Sequence, residues 1–422
     1  MAEIADVKGY IEDLCGRAKS AAAALANESS GKKDRALQFM AEAIRRQAHS
    51  LAEKNALDLD AAREAGLPSA MIDRLTLTPE RIDSMASGID VVRALPDPVG
   101  EVLSGTTRPN GLRILKIRVP LGVIGFIYES RPNVTADAAA LCLKAGNAII
   151  LRGGKEAIHS NIAIASLLKD AVEKATLNPD CLLLVETTDR AAVGHMLKAD
   201  EYIDVIIPRG GESLIRRIAD ESSIPVIKHY AGICHTYVHA DADLDMALKI
   251  CLNAKLQRPG VCNAMETLLV DQAVAAEFLP TIIPQLREHG CEIRGDKRIC
   301  GMFPDSTPVV EQDWCTEYLD LILSVRLVSS LREAIDHINT YGSGHSDAIV
   351  TENYPAAMKF VQEVDAATVY VNASTRFTDG GEFGMGAEVG ISTDKLHARG
   401  PMGLPELTTY KFIIFGNGQL RE

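Results

Sequence analysis

The stretch GVIGFIYESRPNVTADAAALCLKAGNAIILRGGKEA, residues 122–157, decides the fold. GVIGFIY is a short apolar run of the kind that forms a buried strand. ESRPN turns the chain, and VTADAAALCLKAG spaces its apolar residues for a helix. NAIILR reads as a second strand, GGK as a second turn, and EAIHSNIAIASLLKDAVEKA as a second helix. The pattern recurs downstream in CLLLVE, TTD and RAAVGHMLKA, then in YIDVIIP, RGG and ESLIRRIADES, with PVIKHY after it. Buried strands alternating with helices predict a parallel sheet with right-handed crossovers. Ligands of such sheets bind beyond the carboxyl ends of the strands. Two of those ends carry Arg-Gly-Gly, at 152–154 and 209–211, each ahead of a helix, where backbone amides and the helix dipole favour a phosphate. Neither turn has the GxGxxG spacing of the common dinucleotide fingerprint.

Toward the carboxyl terminus, DADLDMALKICLNAKL (241–256) is a helical run that ends in LQRPGVCNAMETLLV (256–270). Pro259 fixes its own φ and Gly260 tolerates a positive one, so the backbone turns sharply just before Cys262. A cysteine on a turn between helix and strand can point into a cleft, and Arg258 beside it would lower a thiol pKa or hold an anion. The competing reading is a small buried hydrophobe. Strands and helices then alternate again through METLLV, EIRG, LDLILSVRLV, SDAIVT and ATVYVN, which predicts a second α/β domain. A Gly-rich stretch at 372–405 is long enough to be functional, and LTTYKFIIFGNG reads as one more strand. HYAGICHTYVH (229–239) offers His229, Cys234, His235 and His239, but as a strand it holds His235 and His239 roughly 13 Å apart, too far for one ion.

Toward the amino terminus, residues 1–97 read as helices, with Ala-rich runs at 17–27 and 34–54 and an N-cap at Thr78 followed by Pro79. TTRPNGLRILKIRV (106–119) is a hairpin about Asn110-Gly111 that needs a partner, and the terminal strand is the natural one. The chain has 422 residues, enough for two domains, with 47% hydrophobic and 24% charged residues. A net charge of −13 argues against nucleic acid or an anionic membrane as partner. No apolar run reaches the roughly 20 residues of a membrane span, and no apolar leader follows the first methionine. Nine cysteines, an odd number without CxxC, suggest a reduced intracellular chain rather than a disulfide or zinc scaffold.

Five segments carry a resemblance: 119–157, which includes ESRPN; VIIPRGGESLI (205–215); KHYAGICHTYVHADAD (228–243); QRPGVCNAMETLLV (257–270); and VNASTRFTDGGEFGMGAEVGISTDKLHARGPMGL (371–404). On them the chain resembles the aldehyde dehydrogenase superfamily over nearly its full length, and within it the branch that reduces acyl phosphates. The resemblance implies an aldehyde dehydrogenase-like α/β fold. A Rossmann-like, parallel-sheet cofactor domain would take residues 1–105 and 120–232. The catalytic domain would take 233–404, and a β-ribbon for oligomerisation 106–119 and 405–422. Cys262 matches the nucleophile. Arg152 falls where most relatives carry a lysine that touches the cofactor ribose, and Gly153 and Gly154 after it are taken as cofactor-binding. Lys155 replaces an acid of NAD-selective relatives and would favour the 2′-phosphate of NADPH.

Arg209, Gly210 and Gly211, with Glu212 opening the helix, fall where relatives seat the pyrophosphate. Glu317 matches the acid that holds the nicotinamide ribose. Asn133 is the asparagine nearest the oxyanion donor of relatives. Arg131, Arg258 and Arg376 are candidates for the phosphate and the substrate carboxylate. Where hydrolytic relatives carry a water-activating glutamate this chain has His229, which fits phosphate as the acyl acceptor. The implied activity is NADPH-dependent reduction of L-glutamyl 5-phosphate to L-glutamate 5-semialdehyde with release of phosphate, in proline biosynthesis. The implied setting is a cytoplasmic homo-oligomer without metal, with the upstream glutamate kinase as a candidate partner. The rival readings are a hydrolytic aldehyde dehydrogenase and a non-catalytic binding protein on the same fold.

Overall fold

A computed structural model describes residues 4–228 and 230–421. The chain divides into two compact units. The first comprises Met1–Lys228, Gly384–Gly390 and Met402–Glu422; the second comprises His229–Phe383 and Ile391–Pro401.

In the first unit, helices come before any strand: Val7–Leu25, Ser30–Arg46, Ala48–Glu64, Ser69–Leu75 and Pro79–Ala94. The single run expected over 34–54 is two helices that meet at Gln47, whose ψ of 17° leaves the helical range. Thr78 caps the last of the five by accepting from the Arg81 amide, with Pro79 at its first position. Strands β1 (Val102–Thr107) and β2 (Arg113–Pro120) form the hairpin, and the terminal strand Thr408–Phe415 pairs antiparallel with β2 along its length. Next come β3 (Val123–Tyr128), β4 (Ala148–Arg152), β5 (Leu182–Leu184) and β6 (Val205–Arg209). They form a parallel sheet in the order β5-β4-β3-β6. Every residue of β3 is buried, as its unbroken apolar run requires. The direction of winding reverses between β3 and β6, so the crevice at the carboxyl ends of those two strands is the place for a ligand. Beyond β6 only Val226 bridges to Ile206, and His229 lies outside the described residues.

The second unit holds β7 (Cys234–Val238), β8 (Met265–Asp271), β9 (Glu292–Gly295), β10 (Thr307–Pro308), β11 (Ile322–Val328), β12 (Ser346–Val350) and β13 (Thr368–Val371). Their order is β10-β9-β11-β8-β7-β12-β13, all parallel. β7 and β8 are buried on both faces. One core packs the helices Leu244–Leu256 and Ala275–Glu288 against the sheet through Cys251, Leu268, Phe278 and Ile282. The other lies on Tyr237, Leu269, Ile338 and Phe360. Gly232, Cys262, Glu317 and His345 lie in the segments that enter β7, β8, β11 and β12 and therefore gather toward the amino edge of this sheet.

Candidate functional site

The sequence-selected residues fall into two sets, one in each unit. In the second unit, Asp243 caps the helix Leu244–Leu256 by accepting from the Met246 amide, and the helix ends at the Pro-Gly turn. Cys262 follows, partly exposed, whereas six of the nine cysteines are buried. Its backbone is clamped from several sides. A Cβ on Gly232 would overlap the Cys262 carbonyl oxygen, so only glycine allows this approach. The Gly232 N–H donates to Glu317 Oε1 at 2.9 Å. The Cys234 thiol donates to the Cys262 carbonyl at 3.2 Å, and burial pushes that thiol far above the usual range, so it stays a protonated donor.

Asn263 ties this turn to the Gly-rich stretch. Its Nδ2 donates to the carbonyls of Arg376 at 3.4 Å and Thr378 at 2.9 Å, and the Asn263 carbonyl accepts from Thr375 Oγ1 at 2.8 Å. Arg376 is thereby tied to the Cys262 turn, with its Nε donating to Gln257 Oε1 at 2.8 Å. Burial pushes the Arg376 pKa down, the nearby Arg258 charge pushes the same way, and Cys262 and Asp379 oppose it. The Arg376 charge therefore interacts with both Arg258 and Cys262, and a cation so held can also meet an anionic substrate.

In the first unit the two Arg-Gly-Gly turns are not equivalent, which corrects the expectation of two phosphate turns. After the first, Lys155–Ala157 makes a single 3-10 turn before the helix Ile158–Lys174. That helix's free amides are already taken: Asp58 accepts from the His159 amide at 3.1 Å, the Ser160 amide at 2.8 Å and Ser160 Oγ at 2.6 Å. Glu156 fills the rest of the turn, accepting from the amide and hydroxyl of Ser130 at 2.7 and 2.9 Å. Arg152 Nε is buried without a hydrogen bond, and burial lowers its pKa while Glu156 opposes this. Lys155 is exposed.

The second turn opens the helix Glu212–Glu221 directly, with Gly211 at the N-cap and open space where a Cβ would stand. The residues here fit a dinucleotide phosphate. One carboxylate is already present, since the Gly211 N–H donates to Glu129 Oε2 at 3.0 Å. Glu212 itself pairs along the helix with Arg216 at 2.6 Å. Arg209 packs against Gly390, 3.1 Å from where a Cβ on that glycine would lie. Asn133 begins the helix Asn133–Lys144, and its Nδ2 donates to Asp137 Oδ2 at 2.9 Å. Burial pushes the Asp137 carboxyl up to about 6, against Asn133 and Arg209. Arg131, half-buried, precedes this helix, and its carbonyl accepts from the Val134 amide at 3.1 Å.

Sequence reasoning missed Asn263, Asp58 and Glu129, and it read Cys234 only as a metal-ligand candidate, not as the support of Cys262. Asn263 had a signal in its place next to Cys262; the others are recognised only by what they touch. His235 and His239 are engaged separately, the first with Asp347 at 3.0 Å and the second with the Asp241 amide at 3.1 Å. Among the described residues no helix is long and apolar enough to cross a membrane.

Residues 5–292 and 311–412 match the aldehyde dehydrogenase family. The chain belongs to that family, whose members act with a nicotinamide dinucleotide, NAD or NADP. It is 56% identical over 406 residues to a gamma-glutamyl phosphate reductase of Moorella thermoacetica, a match that covers 96% of this chain and 97% of that one. One from Carboxydothermus hydrogenoformans is 55% identical over 409 residues, covering 97% and 99%. The crystal structure of the gamma-glutamyl phosphate reductase of Thermotoga maritima superposes with a TM-score of 0.96 at 47% identity, over 98% of this chain and 100% of that one. The chain therefore falls with the gamma-glutamyl phosphate reductases, and it is an oxidoreductase of the glutamate-5-semialdehyde dehydrogenase kind. An acetylating aldehyde dehydrogenase of Geobacillus thermoglucosidasius, at 18% identity and a TM-score of 0.70, shares the fold.

Proposed function

We propose that this protein reduces L-glutamyl 5-phosphate to L-glutamate 5-semialdehyde and releases phosphate, through a thioester on Cys262. The observation that carries this reading is the Cys262 turn, clamped by Gly232 and Cys234, with the Arg376 charge interacting with Cys262 and with Arg258. The Cys262 thiolate attacks the acyl carbonyl, and the electron pair leaves with phosphate, a leaving group that needs little acid help. Arg258 and Arg376, with Arg131, supply the charge that holds the phosphate and the substrate carboxylate. Asn133 is proposed as a donor to the oxyanion, its amide oriented by Asp137.

NADPH, when bound, supplies the hydride that takes the thioester to the aldehyde. The residues proposed to hold it are Gly210 and Gly211 at the open helix N-terminus with Arg209 and Glu212, Arg152 with Gly153 and Gly154 beside the ribose, Lys155 for the 2′-phosphate, and Glu317 for the nicotinamide ribose. The β1–β2 hairpin and terminal strand are proposed to join copies of the chain. Tyr410, Phe412 and Ile414 alternate on one face of that strand and are 50%, 60% and 59% exposed, an apolar surface that calls for a cover.

Run in the oxidative direction, the Cys262 acyl group must pass to phosphate. NADP reduction with the semialdehyde is expected to depend on added phosphate, with arsenate as a substitute. Equal rates in phosphate-free buffer with free glutamate as product would establish the hydrolytic reading instead.

A further inference from the structure

Lys255, in the last turn of the helix Leu244–Leu256, and Glu266, second in β8, stand on either side of the Cys262 turn. Both are buried, with 0% and 1% of their side-chain surface exposed, and Lys255 Nζ lies 2.6 Å from Glu266 Oε2. Burial pushes the Glu266 carboxyl upward, and the Lys255 ammonium pulls it back. A buried pair of this kind is no more stabilising than two apolar side chains of the same volume. Its effect lies in what the remaining lone pairs hold.

Glu266 Oε1 accepts from the Leu319 amide at 3.3 Å. Leu319 has a φ of +53°, a left-handed conformation that is unfavourable for a branched residue and persists only where its surroundings enforce it. Two residues upstream, Glu317 accepts from the Gly232 amide, and Gly232 lies against the Cys262 carbonyl. Between them the Tyr318 hydroxyl is fixed by Ser324 Oγ at 2.7 Å and Asp313 Oδ1 at 3.1 Å. The path from Lys255 through Glu266, Leu319, Glu317 and Gly232 therefore returns to the turn it started beside.

We infer that Glu266, held by Lys255, is a positioning residue: it enforces the left-handed Leu319 and so aims the Glu317 carboxylate at the cofactor ribose. This rests on the proposed role of Glu317. Two variants separate positioning from mere structural support. Glu266→Asp keeps both charges but draws the carboxylate back by one methylene, a gap the flexible Lys255 side chain can follow and the fixed Leu319 amide cannot. Lys255→Met with Glu266→Gln removes both charges but keeps the acceptor. NADPH binding, followed by fluorescence of the bound cofactor, is expected to weaken about tenfold in Glu266→Asp and to stay within about threefold of wild type in the double variant. Turnover should show the same split, with a raised KM for NADPH and an unchanged kcat in Glu266→Asp.

The reverse order, with the aspartate variant normal and the double variant weak, would show that the pair only stabilises the fold. Glu317→Ala serves as the separate control. If it binds NADPH as wild type does, the role of Glu317 falls and the inference with it. If it binds weakly while Glu266→Asp binds normally, only the inference falls.

Discussion

The Cys234 thiol donates a hydrogen bond of 3.2 Å to the backbone carbonyl of Cys262. One cysteine, buried and kept protonated, thus holds the main chain of the other, which is partly exposed. The same residue type is buried and protonated on one strand and partly exposed on the neighbouring turn, where the proposed thioester would form.

That division gives the first prediction. Iodoacetamide at neutral pH is expected to modify Cys262 at least tenfold faster than any buried cysteine, as read by peptide mass spectrometry. Cys262→Ala should lose at least about a hundredfold in turnover while NADPH still binds. Retention of more than a hundredth of the rate would remove Cys262 from the chemistry.

The Glu129 carboxylate sits on the Gly211 amide, where the cofactor pyrophosphate is proposed to lie. Two anions cannot share one amide without repulsion. Glu129→Gln is expected to tighten NADPH about fivefold at low salt, with the gain shrinking at high ionic strength. Weaker binding would mean that Glu129 contacts the cofactor favourably.

His337 is buried, with 3% exposed, and its Nδ1 accepts from Arg326 Nη1 at 2.7 Å, which requires a neutral ring. Burial, His235 and Arg326 push its pKa down to about 2. The unfolded chain binds this proton near pH 6.5 and the folded chain does not, so stability falls as pH drops below that value. At pH 5 the loss from this group is about 2 kcal/mol. His337→Leu should show a smaller fall in unfolding midpoint between pH 7 and pH 5 than wild type, and an equal fall would contradict the assignment.

The apolar face of the terminal strand predicts association. Tyr410→Lys combined with Phe412→Lys should shift the species seen by light scattering toward the monomer at micromolar concentration. A wild type that is already monomeric there would end the proposal of a ribbon interface.

Much of the architecture was legible because it rests on local pattern. GVIGFIY is buried throughout as β3, and the Pro-Gly turn delivers Cys262 where the helix and strand around it require. The failures share one cause. The helix after the first Arg-Gly-Gly is closed to phosphate by Asp58, which lies 101 and 102 residues from the amides it caps. Glu129 reaches Gly211 across 82 residues. Acids so far apart in sequence carry no local signal of where they will end. Lys255 and Glu266, by contrast, are charges inside apolar runs only 11 residues apart, a conflict with the surrounding pattern that could have been read as a buried pair.

The pairing of β2 with the terminal strand has a consequence for synthesis. Arg118 Nη1 in β2 donates to Thr408 Oγ1 290 residues away, so the third strand of the ribbon arrives only after almost all the chain between them has left the ribosome. Until then one edge of β2 has no partner, and a nascent or truncated chain would expose it to chaperones and proteases. Because the exposed apolar face is built on that last strand, the proposed association of copies would have to wait until translation has passed through it.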